Sequence, residues 1–146
     1  MNNITIENRR LPFEFVYETL KKVSSLFTPP LSESLDIEAY AIKLSDKAEF
    51  AVCMDEDDML GFTAYYLNKA AHQIYVTLIC VDTSHQAQGI GGKMIDCLSS
   101  FAKNEGCNSI ALEVKKQNDK AHRFYLKQGF SEQENRGEKL LMVKNL

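Results

Sequence analysis

The pattern of hydrophobic and polar positions predicts two helices near the start of the chain. Residues 11–27 carry apolar side chains at helical spacing, and the "TPP" at residues 28–30 would end this helix. A second helix is predicted from about Asp36, because the apolar residues that follow recur at i, i+3, i+4 and i+7 of one face. Ser34 or Asp36 could cap its N-terminus.

Strand patterns begin after these helices. The runs "EFAVCM" and "LGFTAYYL" flank the acidic "DEDD", which predicts a hairpin with a solvated turn; "DEDD" lacks the glycine and distal glutamate of a calcium loop. The run "HQIYVTLICV" is apolar at odd and even positions, which is typical of a central strand covered on both faces. A helix from Ile90 to near Gly106, the strand "SIALEV", the helix "NDKAHRFYLKQ" and two final strands follow.

The predicted order is therefore ααβββαβαββ. Strands that alternate with helices in this way indicate a mixed α/β domain, with one layer of sheet between helices. A length of 146 residues fits a single domain, residues 1–146, with a core of its own.

Composition narrows the classes of function. Hydrophobic residues make up 45% and charged residues 25% of the chain, and the net charge is −3, which disfavours nucleic acid as the main partner. We expect no membrane span, since no apolar run approaches the roughly 20 residues that a membrane helix needs, and no secretion signal, since "MNNITIENRR" has no charged head followed by a long apolar segment. The four cysteines form no CxxC pair and have apolar neighbours, so we expect small core residues in a reducing cytoplasm and no metal site.

The stretch "HQAQGIGGKM", residues 85–94, lies between a predicted strand and a predicted helix. It lacks the Gly-Lys-Ser/Thr ending of a Walker loop and the third glycine of a dinucleotide fingerprint, because Met94 stands in both places. Gly89, Gly91 and Gly92 would still expose the amides of a helix N-terminus, which suits a pyrophosphate. The alternative is a glycine-rich turn that lets helix and strand pack closely.

Two motifs in this half of the chain resemble those of the GNAT family of N-acetyltransferases. "QAQGIG" at residues 86–91 matches the family's Q/R-x-x-G-x-G/A loop. "NDKAHRFYLKQGF" at residues 118–130 is similar to the family's N-x-x-A-x-x-x-Y-x-x-x-G-F, with a predicted strand between the two motifs. The resemblance is specific over about residues 74–130, and it implies a GNAT-type mixed sheet and acetyl-CoA as cofactor.

The resemblance also implies how the cofactor is held. In the family the loop amides hold the pyrophosphate, and the backbone of the fourth strand pairs with the pantetheine arm where this strand splays from the fifth. Asn118 would contact the pantetheine region. The positions implied for the arm are Ile79, Cys80 and Val81, and those implied for the phosphates are Gln86, Ala87, Gln88, Gly89, Ile90, Gly91 and Gly92.

Direct attack of an amine on a thioester needs a proton for the leaving thiolate and a base for the amine. The resemblance assigns Tyr125 as the general acid; alternatively, Tyr125 is an amphipathic core aromatic. Glu113 interrupts a buried strand, and "LEVKKQN" resembles ribosomal-protein N-acetyltransferases, in which a glutamate at this place is the base. The alternatives are a salt bridge with Lys115 or Lys116, and a base formed by a water chain.

Other reactive or charged residues near these motifs have more than one interpretation. Cys80 could form an acyl-enzyme, but its apolar setting disfavours a thiolate. His85 and His122 are expected at the surface. Three cations could meet the cofactor's outer phosphate or could simply be solvated: Lys93, Lys120 and Arg123.

The sequence therefore predicts a cytoplasmic, acetyl-CoA-dependent N-acetyltransferase that acts on a primary amine, of a small molecule in the first place. The alternatives are a protein or peptide acceptor and a GNAT-like module that binds acyl-CoA without turnover. A tRNA-acetylating toxin is disfavoured by the acidic composition. A homodimer is plausible for the family, and residues 27–34, "FTPPLSES", are expected to border the acceptor.

Overall fold

In the computed structural model, seven strands form one sheet in the order β1-β2-β3-β4-β5-β7-β6. The structure describes residues 4–26, 30–81 and 89–146. All neighbouring strands are antiparallel except β4 and β5, which are parallel. The strands are β1 (Ile4–Arg9), β2 (Glu49–Asp55), β3 (Asp58–Asn68), β4 (Gln73–Val81), β5 (Ser109–Lys115), β6 (Ser131–Arg136) and β7 (Lys139–Asn145).

Helices cover both faces of this sheet. They are α1 (Phe13–Val23), α2 (Leu31–Ser34), α3 (Ile37–Lys47), α4 (Ile90–Asn104) and α5 (Asp119–Lys127), with a 3-10 turn at Ser24–Leu26 after α1. Asp36 caps α3 by accepting a hydrogen bond from the Ala39 amide at 3.1 Å. Within the described segments, no helix combines the length and the hydrophobicity that a bilayer crossing requires.

The core is divided between the two faces of the sheet. On one face, Leu20 of α1 and Leu44 of α3 are fully buried against β2 and β3. In the same cluster, the ring centroids of Phe50 and Phe62 lie 6.0 Å apart. On the other face, the apolar stripe of α4 packs against β5 together with residues of α5. The prediction of a single sheet between helices is confirmed.

The predicted order of elements is wrong at two places. It lacks β1, which pairs antiparallel with β2 at the edge of the sheet. An edge strand can be held by backbone hydrogen bonds alone, and the sequence of β1, "ITIENR", is too short and too polar to show a strand period. It also lacks α2, a single helical turn after Pro30. The order is βαααβββαβαββ.

Other local predictions can be compared with the structure directly. The predicted helix over residues 11–27 begins at Phe13 and passes into the 3-10 turn at Ser24; Phe27 lies outside the described residues. The acidic run forms the β2–β3 hairpin turn, where Glu56 has a φ of 55°. The cysteines are buried or half-buried, and burial raises the pKa of Cys53, Cys97 and Cys107.

Candidate active site

The parallel strands β4 and β5 separate part-way along their length. They pair from Gln73 with Ser109 to Val76 with Leu112, and there the pairing ends. Residues 77–81 of β4 and 113–115 of β5 continue beyond this point with no strand between them. The two strands therefore diverge, and an extended ligand could enter between them and contact the backbone of either strand.

A cleft of about 680 Å³ opens at this split. Both strands contribute to its walls, α5 lies at one side, and the segment from α2 to α3 lies at the other. The residues that line it are Leu31, Glu33, Leu35, Tyr40, Val76, Thr77, Leu78, Ile79, Leu112, Glu113, Val114, Lys115, Asn118, Ala121, Tyr125, Glu138 and Lys139.

Three residues of the second motif share one stripe of α5 that faces the cleft. Asn118 is the N-cap of α5, and its Oδ1 accepts a hydrogen bond from the Ala121 amide at 3.1 Å. Ala121 and Tyr125 follow one and two turns later, and all three line the cleft. The cap engages the side-chain oxygen of Asn118, whose amide nitrogen keeps two donors for a ligand.

The ring of Tyr125 is held by aromatic neighbours. It makes edge-to-face contacts with Phe124, at 5.2 Å between centroids, and with Phe130, at 5.5 Å. Burial raises the pKa of Tyr125 to about 12. The hydroxyl therefore keeps its proton at neutral pH, on a ring that the packing holds in place beside the cleft.

The Glu113 carboxylate is part of an ionic network on β5 and the β6–β7 hairpin. Its Oε2 accepts a hydrogen bond from Arg136 at 3.0 Å, and its Oε1 lies 3.8 Å from Nζ of Lys139. Arg136 also contacts Glu134 at 3.3 Å. The partners are thus Arg136 and Lys139, not Lys115 or Lys116, because β7 pairs with β5 and brings the β6–β7 hairpin, with Arg136 at the end of β6 and Lys139 at the start of β7, beside Glu113.

Tyr75 of β4 is a further neighbour of Glu113. Burial and the Glu113 carboxylate, through its charge and through hydrogen bonding, raise the pKa of Tyr75 to about 12. Leu112 and Val114 pack in the same cluster as Tyr125, so the alternation of β5 places Glu113 on the opposite face of the sheet. The cleft between the strands thus has the phenol of Tyr125 on one side and the carboxylate of Glu113 on the other.

The glycine loop leads into α4. Gly89 is the N-cap, with a φ of 73°, and a Cβ at this position would meet no atom of the described residues within 4 Å. Gly91 differs, because a Cβ there would lie 2.9 Å from Cζ of Phe124. A Cβ at Gly92 would lie 3.3 Å from the side-chain amide of Gln128. Only Gly89 borders open space; the other two glycines allow α4 to approach α5.

The remaining residues of the predicted cofactor site have different surroundings. Ile90 is fully buried beneath the start of α4, so only its backbone could meet a ligand. Ile79 lines the cleft. The Cys80 side chain packs in the core beneath α1 and α3, and Val81 packs beside Ile90. Gln86, Ala87 and Gln88 lie outside the described residues, as does His85.

The cations and the histidine near the second motif lie at the surface or close to it. Lys93, Lys120 and Arg123 are exposed. His122 is partly buried, and its Nε2 lies 3.3 Å from a carboxylate oxygen of Glu132. Within the described segments, no group of three or more His, Cys, Asp or Glu side chains is arranged to hold a metal ion.

Sequence reasoning did not identify the residues that face the cleft from the first half of the chain. Tyr40 follows the apolar period of α3 and Thr77 lies within the apolar run of β4, so the hydrophobic pattern does not distinguish either residue. Glu33 and Glu138 also line the cleft. A polar residue at the centre of an otherwise apolar strand, as Thr77 is, was the one available signal.

Comparison with known proteins decides the family. A family model described as the acetyltransferase (GNAT) family matches residues 15–130. The chain belongs to the GNAT acetyltransferase family. The prediction of an acyltransferase is confirmed at this level, and the match extends upstream of the two motifs to include α1 and α3.

Solved GNAT structures share the fold over nearly the whole chain. The PaiA N-acetyltransferase from Thermoplasma acidophilum, in complex with coenzyme A, has 20% identity and a TM-score of 0.75, covering 97% of this chain and 99% of that one. A GNAT family acetyltransferase from Elizabethkingia anophelis with acetyl-CoA bound has 17% identity and a TM-score of 0.74, covering 100% of both chains. A Bacillus subtilis acetyltransferase in complex with CoA has 16% identity and a TM-score of 0.74, covering 99% of both chains.

Proposed function

We propose that this GNAT protein, as one domain over residues 1–146, is a cytoplasmic N-acetyltransferase. It would transfer the acetyl group of acetyl-CoA to a primary amine by direct attack. The observation that carries this proposal is the split of β4 from β5, with Tyr125 on one side and Glu113 on the other. The cleft of about 680 Å³ is in the range of small-molecule sites, and we propose that the thioester arm and a small amine share it.

The described residues fit acetyl-CoA at three places. Where β4 has left β5, its backbone at Ile79 faces the cleft and offers groups for the pantetheine arm, and Cys80 and Val81, the other positions that the family resemblance implies, follow on the same strand. The amides after Gly89 offer donors and the positive end of a helix dipole to the pyrophosphate, and Gly89 itself adds no side chain there. Asn118 offers its side-chain amide. Bound acetyl-CoA supplies an activated thioester at the split.

Tyr125 is proposed as the general acid. Its phenol carries a proton at neutral pH, and its packing against Phe124 and Phe130 keeps the ring beside the cleft. The phenol would give this proton to the sulfur that departs from the thioester. A proton supplied at that point matters in the transition state rather than in binding.

Glu113 is proposed as the base that receives the proton of the amine. It lines the cleft on the face opposite Tyr125, so acid and base would approach the thioester from opposite sides. Its ion pair with Arg136 competes with this role, because a carboxylate oxygen bound to a guanidinium is less available to an amine. A comparison of Glu113→Gln with Glu134→Gln separates the role of a base from that of an ion-pair partner of Arg136.

Direct transfer is favoured over an acyl-enzyme by the position of Cys80. Its side chain packs in the core beneath α1 and α3, and among the described residues that line the cleft no cysteine occurs. Turnover should therefore survive Cys80→Ala. Trapping of an acetylated enzyme by mass spectrometry, lost in this variant, would overturn direct transfer.

The proposed function can be tested by thiol release from acetyl-CoA with a panel of amines, peptides and a lysine-rich protein. Rapid release with a small amine supports the proposal, and release with peptides alone would make the acceptor a protein. Acetyl-CoA should also raise thermal stability, by about 2.7 kcal/mol at 100 times its Kd. A thermal shift without any thiol release would identify a binding module, and the absence of both would overturn the acetyl-CoA assignment. A homodimer stays a prediction.

A further inference from the structure

Strand β4 contains a bulge at the point where it leaves β5. On the β3 side, Ala64 pairs with Leu78 and Tyr65 pairs with Val76, so Thr77 has no partner residue on β3. On the β5 side, the last paired residue of β4 is Val76. Thr77 is thus the first residue of β4 that neither neighbouring strand holds in register.

The hydroxyl of Tyr40 reaches this bulge from α3. It lies 3.2 Å from the carbonyl oxygen of Thr77 and 2.7 Å from its Oγ1. One arrangement satisfies both contacts: the Tyr40 hydroxyl donates to the carbonyl, and the Thr77 hydroxyl donates to the phenolic oxygen. Burial raises the pKa of Tyr40 to about 12, although the hydrogen bond with Thr77 acts against this. The phenol therefore remains a donor at neutral pH.

A second hydroxyl holds the next carbonyl along the strand. Oγ1 of Thr63, a fully buried residue of β3, donates to the carbonyl of Leu78 at 2.9 Å. Two side-chain hydroxyls, one from a helix and one from the adjacent strand, thus fix consecutive peptide groups. These peptides lie in the wall of the cleft, since Thr77 and Leu78 both line it.

The geometry points to Tyr40 as a positioning residue that acts through Thr77: its hydroxyl holds the Thr77–Leu78 peptide of the β4 bulge in the orientation that the bound thioester requires. This inference rests on the proposed function. Because a peptide group is planar, a carbonyl fixed by Tyr40 also fixes the direction of the Leu78 N–H. Preorganised backbone dipoles beside a reacting group assist its reaction most when they need no rearrangement.

Tyr40 also connects the two sides of the cleft. It lies on α3, directly after the α2 segment whose Leu31 and Glu33 line the cleft. The Tyr40 side chain therefore connects the side of the cleft formed by Leu31 and Glu33, where we expect the acceptor, to the backbone of β4.

The test compares Tyr40→Phe with Tyr66→Phe. Tyr66 packs in the same core cluster, and its buried hydroxyl has no hydrogen-bond partner among the described residues, so Tyr66→Phe removes an equivalent oxygen that holds nothing. The first readout is amide hydrogen exchange of residues 74–81 in the ligand-free protein. The others are the Kd of CoA and kcat with the amine of the panel that the wild type acetylates fastest.

For Tyr40→Phe we expect faster exchange at Thr77 and Leu78 and a fall in kcat of about tenfold, the effect of one or two neutral hydrogen bonds. The Kd of CoA should stay within about twofold, because the phosphate contacts are untouched. Thr77→Val added to Tyr40→Phe should lower kcat little further, whereas Thr77→Ser alone should keep wild-type kcat.

Unchanged exchange at Thr77 and Leu78 in Tyr40→Phe would overturn the inference, as would a kcat equal to that of Tyr66→Phe. A fully additive effect of Thr77→Val and Tyr40→Phe would do the same. A wild type that neither binds acetyl-CoA nor acetylates any amine would instead overturn the proposed function. The exchange measurement would then still decide whether Tyr40 holds the bulge.

Discussion

The ring of Phe124 lies against the main chain of Gly91 so closely that a Cβ at Gly91 would be 2.9 Å from its Cζ. This contact joins the N-terminal turn of α4 to α5, next to Tyr125, whose ring touches Phe124. A side chain at Gly91 would therefore disturb packing before it met any phosphate. Loss of cofactor binding in a Gly91 variant would not identify a phosphate site.

Gly89 offers a cleaner test of that site. Gly89 and Gly106, at opposite ends of α4, both have positive φ, and a Cβ at either would meet no atom within 4 Å in the part of the chain that the structure describes. Alanine at each should cost about 1–2 kcal/mol of stability from backbone strain. Only Gly89→Ala should weaken CoA binding, because only it adds an atom where the phosphates are proposed. Calorimetric titration of both variants checks this; equal CoA affinities would remove the helix N-terminus from the site.

The glycine loop shows which features of the site are local in sequence and which depend on the fold. The helix N-terminus could be predicted from the motif, because a glycine cluster between a strand pattern and a helix pattern marks the turn into the helix. The separate roles of Gly89 and Gly91 could not, since they depend on where α5 lies. Likewise, Glu113 was recognised as a carboxylate that needs a partner, but its partner Arg136 comes from a hairpin 23 residues later. Pairing across the sheet is a long-range property that local pattern does not encode.

Glu33 should contribute to acceptor binding. It lines the cleft from α2 and makes no ion pair with any described residue, so an ammonium group could approach it. We expect Glu33→Gln to raise the KM of the amine by up to about fivefold, the size of one exposed ion pair, and to leave the Kd of CoA unchanged. Added salt should reduce the difference between variant and wild type.

The matched control for Glu33 is Glu38→Gln. Glu38 is exposed in the first turn of α3 and is not among the residues that line the cleft. Its replacement removes the same charge nearby and should alter neither the KM of the amine nor the Kd of CoA. Equal changes in the two variants would indicate long-range attraction by net charge instead of a contact at Glu33.

The stability of the protein should fall steeply above about pH 10. An unfolded tyrosine loses its proton near pH 10, whereas burial raises the pKa of Tyr40, Tyr75 and Tyr125 to about 12 in the folded state. Between these values the unfolded chain binds fewer protons, so the free energy of unfolding decreases as the pH rises. Below about pH 10 these three groups contribute no slope.

Urea unfolding at several alkaline pH values measures this slope. Tyr75→Phe should make the fall shallower, because one phenol with a raised pKa is removed. A free energy of unfolding that stays flat through this range would contradict the raised pKa of these tyrosines.

Glu113→Gln should separate the base from the ion pair. If Glu113 takes the proton of the amine, kcat should fall and should recover partly at high pH, where more of the amine is already neutral. Glu134→Gln is the control, since Glu134 contacts the same Arg136 at 3.3 Å and does not line the cleft. It should keep kcat at every pH. If both variants keep near-wild-type kcat, Glu113 only anchors the hairpin, and a water chain would serve as the base.

Tyr125→Phe should lower kcat by about 100-fold or more, the scale of general acid catalysis. The change removes one oxygen and keeps the ring, so the contacts with Phe124 and Phe130 should survive and the protein should remain folded. The Kd of acetyl-CoA should change little, because the proton is needed in the transition state and not in the ground state.

The pH dependence of this variant provides a second readout. With a pKa of about 12, the phenol stays protonated throughout the working range, so the loss should be the same at every pH. High pH should not rescue Tyr125→Phe, in contrast to Glu113→Gln, since neutralising the amine does not supply a proton to the thiolate. Single-turnover measurement of acetyl transfer isolates the chemical step from product release. If that step keeps nearly its full rate in Tyr125→Phe, Tyr125 is a core aromatic that closes the cleft, and another group or water protonates the sulfur.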